Sequence, residues 1–190
     1  AELCVIAGSL PPGAEADQYA SLIAGLRAAG VPALLDTDGE PMRAGLRAQP
    51  ALVVPNVAEA EEALGHEFTE PEDLIPALDG LVDMGAEEAI ITTPSGCVAL
   101  VDDGHRKAHF EATIEPLATV ASVGSGDAFL AGLIAARRAG RPADDGLAFG
   151  VACGAESTQH LGAGTVDRSE AAKLMSRVEV SRLTAPLRAA

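Results

Sequence analysis

The chain contains no tryptophan, and aromatic residues make up only 3% of its 190 positions. Its core must be built mostly from Ala, Val, Leu and Ile, which suits tightly packed α/β layers. Lysine is almost absent too: only Lys107 and Lys173 occur, so no lysine cluster is available to hold a phosphate. Cys4, Cys97 and Cys153 lie far apart and form no CxxC pair, which argues against a disulfide framework or a zinc site. Reduced thiols of this kind predict a cytoplasmic protein. No apolar run reaches the ~18 residues that a membrane span needs. The opening AELCVIAGSL has no basic stretch and no cleavage signature, so a signal peptide is not expected.

Acid is what the chain has in quantity. Lys and Arg total 13 against 28 Asp and Glu, a formal net charge of −15. Such a surface repels phosphate backbones and anionic bilayers, so neither nucleic acid nor membrane is expected as a partner. An anionic ligand requires the local field to be reversed by a helix N-terminus or by Mg²⁺. With 48% hydrophobic residues the chain is globular, and its length suits one domain with a real core. It begins at Ala1 and enters an apolar run by Leu3, which leads us to expect a truncated chain.

Strand and helix patterns alternate. Strands are expected at Leu3–Ala7, Ala33–Leu35, Leu52–Val54, Ala89–Thr93, Cys97–Val101 and Arg106–Phe110. The last two flank an Asp103-Gly104 turn and read as a hairpin. Helices are expected at Ala16–Ala29, Val57–Leu64, Leu74–Met84, Ser125–Arg138, Ala143–His160 and Arg168–Arg177. This order predicts βαβ units, a mainly parallel sheet and antiparallel strands at the late edge.

The segment ASVGSGDAFLAG (residues 121–132) carries the most chemistry. Gly124 and Gly126 flank Ser125, and a helix follows at once. Those glycines let backbone N–H groups converge, and the helix N-terminus adds positive potential, the ingredients of an anion hole. Asp127 would stand in the first turn, able to accept a proton from an incoming hydroxyl. An ordinary glycine-containing loop with Asp at a helix start reads equally well. In VPNVAE (residues 54–59), Asn56 and Glu59 sit three apart and could order the water shell of Mg²⁺. They could also simply cap the helix. DTDGE (residues 36–40) ends another strand, where a ligand or a plain turn would fit.

His105 and His109 would lie on one strand face about 13 Å apart, as solvated hairpin residues and not a metal pair. Gly162-Ala-Gly164 reads as a loop before a helix capped by Asp167. No GxxxxGK[ST] occurs, and Phe129 stands where a dinucleotide fingerprint needs Gly.

GSLPPG (residues 8–13), DTDGE, PNxxE and GSGDAFLAG occur in the order found in the PfkB/ribokinase family of carbohydrate kinases, and the chain resembles that family over nearly its whole length. Within it, GSLPPG with DTDGE is most similar to the 1-phosphofructokinase/tagatose-6-phosphate kinase branch. The resemblance implies a ribokinase-like three-layer α/β/α sandwich, with residues 1–190 as one nucleotide-binding domain. It implies transfer of the ATP γ-phosphate to a hydroxyl of a sugar or sugar phosphate. Asp127 would be the base, Gly124, Ser125 and Gly126 the anion hole, and Asn56 with Glu59 the Mg²⁺-water site. Thr92, Thr93, Gly96, Gly126, Asp127 and Gly154 would touch the nucleotide, Gly154 from the small-residue stretch ACGAEST (residues 152–158).

Several positions depart from the family pattern. Val54 replaces a common lysine, TTPSG (residues 92–96) is one glycine short of TxGxxG, and DTDG stands for DTSG. The family's N-terminal part, with its sugar-binding Asp and lid, is expected to be missing. The lid often mediates dimers, so a homodimer and an inactive, non-catalytic nucleotide-binding relative both stay open.

Overall fold

The computed structural model describes residues 1–183 and divides the chain into two compact units, Ala1–Thr92 and Thr93–Ala190.

The first unit alternates strand and helix. It runs β1 (Cys4–Ala7), α1 (Gln18–Ala28), β2 (Ala33–Asp36), α2 (Gly39–Arg47), β3 (Leu52–Val53), α3 (Val57–Leu64), a 3₁₀ turn (Pro71–Asp73), α4 (Leu74–Asp83) and β4 (Glu88–Thr93). The strands pair in parallel in chain order, with Cys4 opposite Ala33, Leu34 opposite Leu52, and Leu52 opposite Glu88. β2 is buried along Ala33, Leu34 and Leu35, as a parallel strand covered on both faces must be. The rest of this core comes from Ile23, Met42, Leu46, Leu78, Leu81, Ile90 and Ile91.

α2 stands where DTDGE suggests only a strand end and a turn. Gly39, Pro41 and Gly45 argue against a helix, yet Pro41 falls in the first turn, where a missing N–H costs nothing. Met42 and Leu46, one turn apart, are fully buried and supply the driving force.

The second unit runs β5 (Gly96–Asp102), β6 (Lys107–Thr113), α5 (Ser125–Arg138), α6 (Ala143–Ser157), α7 (Arg168–Leu174), a 3₁₀ turn (Met175–Arg177) and β7 (Glu179–Leu183). β5 and β6 form the expected antiparallel hairpin, and β7 adds antiparallel to β6. In the hairpin turn, Asp103 accepts hydrogen bonds from the N–H groups of His105 and Arg106, each at 2.9 Å. Those bonds, and then Arg182, hold the Asp103 carboxyl below its usual range.

The second unit departs from expectation at several places, among them β6, which runs on to Thr113 past the expected Phe110. β7 was unforeseen, because an exposed edge strand has no buried alternation to mark it. α6 stops at Ser157, whose hydroxyl bonds back to the Gly154 carbonyl at 2.7 Å. The final helix tightens to 3₁₀ at Met175. α5 and α6 pack closely, burying Phe129, Leu130, Leu133 and Ala136 against Leu147, Val151 and Ala152.

Candidate functional site

In the first unit the sequence motifs collect where parallel strands end, the side on which α/β sheets bind ligands. The Gly8 N–H donates to the Asp36 carbonyl at 2.9 Å. The Gly8 carbonyl accepts from the hydroxyls of Thr37 at 3.0 Å and Tyr19 at 3.1 Å. Ser9 Oγ donates to Asp38 Oδ2 at 2.8 Å. GSLPPG and DTDGE are thus tied together by specific bonds. One strand further on, the Thr92 N–H donates to the Pro55 carbonyl at 2.9 Å, and Thr92 bridges Asn56 in parallel fashion.

Asn56 and Glu59 form a reciprocal capping box. Asn56 Oδ1 accepts from the Glu59 N–H at 3.0 Å, and Glu59 Oε2 accepts from the Asn56 N–H at 2.8 Å. The capping reading is therefore realised, with one oxygen of each side chain committed. The Glu59 carboxyl titrates above its ordinary value. Burial is the largest cause, hydrogen bonds from Asn56 oppose it, and the charges of Asp38 and Glu62 add to the rise. A carboxylate pressed by two others is a place where a cation relieves repulsion. Among the described residues no group of three or more His, Cys, Asp or Glu could hold a metal directly. Asn56 Nδ2 and Glu59 Oε1 lie outside the capping bonds. Val54 is buried in the core with its N–H on the Leu35 carbonyl, so this position offers nothing to an anion.

In the second unit, Gly124 is the N-cap of α5, in the left-handed conformation at φ +83°. The helical ladder begins where the Ala128 N–H donates to the Gly124 carbonyl at 2.9 Å. The N–H groups of Gly126 and Asp127 therefore lie ahead of the first rung, at the positive end of a 14-residue helix. Gly126 and Asp127 are exposed and Ser125 is half-buried, so the turn opens to solvent. Gly124, Ser125, Gly126 and Asp127 share this turn.

The other candidate residues lie on β4 (Thr92, Thr93), β5 (Gly96) and α6 (Gly154). Thr93 Oγ1 lies 3.4 Å from Ser95 Oγ. A Cβ on Gly96 would fall 2.0 Å from the Ala112 carbonyl oxygen, so this glycine lets β5 and β6 close at their first pair. Gly154 faces the back of the α5 turn: a Cβ there would lie 3.2 Å from the Ser125 carbonyl oxygen. It supports the turn from behind by letting α6 approach.

Two features escaped the sequence reading. The loop at Ala163–Gly164 abuts Gly124, and Glu156 is a buried carboxylate at 3% exposure. The repeated GxG of residues 162–164 was the available signal for the first. Nothing local marks Glu156.

Comparison with known proteins follows the same lines. A family profile described as pfkB family carbohydrate kinase matches residues 1–170. The 1-phosphofructokinase of Haemophilus influenzae is 32% identical over 183 residues, covering 96% of this chain and 58% of that protein. The structure of phosphofructokinase-2 from Escherichia coli in complex with potassium superposes with a TM-score of 0.82 at 26% identity, over 92% of this chain and 56% of the other. The ribokinase of Arabidopsis thaliana, solved with ribose and ATP, shares the fold at a TM-score of 0.75 and 21% identity, over 92% of this chain and 56% of the other. The expected ribokinase-like α/β class is thereby shown. The chain spans just over half the length of these relatives.

Proposed function

The chain belongs to the pfkB family of carbohydrate kinases, and from that premise we propose that it supplies the nucleotide-binding part of an ATP- and Mg²⁺-dependent sugar or sugar-phosphate kinase of the phosphofructokinase or tagatose-6-phosphate kinase type. The observation that carries the proposal is the open first turn of α5, with left-handed Gly124 at its cap and exposed Asp127 three positions on.

In the reaction, the acceptor hydroxyl oxygen bonds to the γ-phosphorus while the bond to the β,γ-bridging oxygen breaks, leaving ADP. Asp127 accepts the hydroxyl proton. The Gly124–Gly126 turn presents N–H groups and the helix dipole to the transferring phosphoryl group, where charge is spread over its equatorial oxygens. Such preorganised donors lower the barrier because they need no rearrangement as the charge develops. Asn56 and Glu59 would hold Mg²⁺ through water, and the ion when bound neutralises phosphate charge. Thr92, Thr93 and Gly96 would border the nucleotide. Gly154 acts from behind the turn.

The proposed substrates are ketohexoses and their phosphates. No helix among the described residues is long and apolar enough to cross a membrane. The acidic composition disfavours nucleic acid, and the partners we propose are these small molecules and a second copy of the chain.

The test is an ADP-release assay with MgATP and a panel of ketohexose phosphates, run beside Asp127→Asn. Sugar-dependent release that the substitution removes supports the reading. Undiminished release in the variant rejects Asp127 as the base. A second reading, nucleotide binding without transfer, is favoured by buried Val54, and MgATP binding with no ADP release under any sugar would select it.

A further inference from the structure

Glu156 buries a carboxylate near the C-terminus of α6, at 3% exposure. A buried carboxylate is costly unless its oxygens are bonded, and here both are. Oε1 lies 2.5 Å from His160 Nε2, and Oε2 accepts from the Asp167 N–H at 2.9 Å. His160 and Asp167 are the two ends of one loop, and Glu156 grips both. The middle of that loop, Ala163–Gly164, is the backbone that abuts Gly124.

The same helix end holds the segment that leads into Gly124. The Thr158 carbonyl accepts from the N–H groups of Val120 at 2.8 Å and Ala121 at 3.1 Å. Gln159 Nε2 donates to the Ala118 carbonyl at 2.9 Å. Both strands of backbone that meet at Gly124 are therefore anchored on residues 156–160. On the outgoing side the loop's two ends are tied through the Glu156 carboxylate.

We infer that Glu156 is a positioning residue for phosphoryl transfer: by clamping His160 and the Asp167 amide it sets the Ala163–Gly164 backbone against Gly124 and so fixes the shape of the α5 anion-binding turn. The inference rests on the kinase reading for its functional half and on geometry alone for its mechanical half.

The two halves have separate measurements. Without nucleotide, hydrogen exchange of the Asp167 amide, the loop N–H that donates to Glu156 Oε2, is compared between the protein and both Glu156→Ala and His160→Ala, with Val98–Leu100 of β5 as the internal control. Loss of the clamp is expected to speed exchange in the loop by roughly tenfold or more, with β5 unchanged. Calorimetric titration with MgATP should then show binding weakened about tenfold, and the Glu156→Gln variant should bind within about threefold of the parent. A Gln amide can still accept from the Asp167 N–H while its own N–H donates to neutral His160, so this rescue separates clamping from charge. If Glu156→Ala does not fold, His160→Ala removes one of the two bonds and should still loosen the loop and weaken MgATP.

Unchanged loop exchange in the Ala or His variant overturns the clamp. A loosened loop with unaltered MgATP affinity overturns its link to the turn. A parent that binds no MgATP rejects the kinase reading and this link with it, while the exchange data still decide the clamp.

Discussion

The backbone nitrogen of Gly164 sits where a side chain at Gly124 would have to go: a Cβ built on Gly124 falls 2.4 Å from it and 3.0 Å from the Ala163 carbonyl carbon. Gly124 is also left-handed, at φ +83°. Gly124→Ala therefore meets backbone strain of about 1–2 kcal/mol and a steric conflict that must shift either the loop or the helix start. Urea unfolding should show a loss of about 1–3 kcal/mol, and MgATP binding should weaken markedly. A variant with parental stability and affinity would show that this contact does not shape the turn.

Asp127 is exposed, in the first turn of a long helix, so replacing it should not disturb packing. Asp127→Asn is isosteric and removes only the ability to take a proton. We expect kcat to fall by roughly 10²–10⁴ while MgATP affinity and melting temperature stay near the parent. Steady-state kinetics with calorimetry separates these quantities. A parallel loss of affinity would mean the carboxylate organises nucleotide binding instead.

Glu59 makes a prediction whose sign can be worked out. Its carboxyl is raised above 4.5, first by burial and further by Asp38 and Glu62. A group raised on folding contributes stability that is complete below its unfolded value and is lost as pH rises through the folded one. Glu59→Gln keeps the capping geometry, since Gln serves at this position of a capping box. Its stability relative to the parent should therefore improve as pH rises from about 4.5 toward neutral, by an amount kept small because the group is only half-buried. Urea midpoints across that range test the sign. The same variant should need more MgCl₂ for half-maximal ADP release. An unchanged Mg²⁺ dependence would leave Glu59 as a cap alone.

How much of this was readable in advance depends on where the determining contacts lie. α3 and α5 fall at their expected limits, Val57–Leu64 and Ser125–Arg138, because Asn56 with Glu59 and Gly124 cap them within a few residues. α2 was hidden because Gly39, Pro41 and Gly45 mask its local pattern, and what makes it a helix is burial of Met42 and Leu46 in a core assembled from distant strands. β7 was hidden because its order comes from pairing with β6, about seventy residues away in the chain. The candidate anion turn was legible as GSGD. Its support was not, since Gly164 and Glu156 reach it only through folding, and a buried Glu is improbable from type alone.

The cysteines offer a check on the two units that is independent of nucleotide. Burial drives the Cys97 thiol up to about 12 and Cys153 to about 11, with Glu111 and Glu156 adding to the respective rises. Cys4 is only partly buried, on the first strand. Alkylation requires the thiolate, so at pH 8 iodoacetamide should modify Cys4 and leave Cys97 and Cys153 intact until the protein is unfolded. Both buried thiols are raised on folding, so the stability they contribute is whole below the ordinary thiol value of 9.0 and is lost as pH climbs toward 11 and 12. Cys153→Ala should flatten part of that alkaline decline while leaving a small cavity between α5 and α6, because Cys153 packs over Gly132. Mass-resolved labelling and urea midpoints at pH 8 and 10 decide it. Rapid native labelling of Cys153 would mean the α5–α6 pair opens far more readily than its packing implies, and the turn that α6 supports would then be mobile as well.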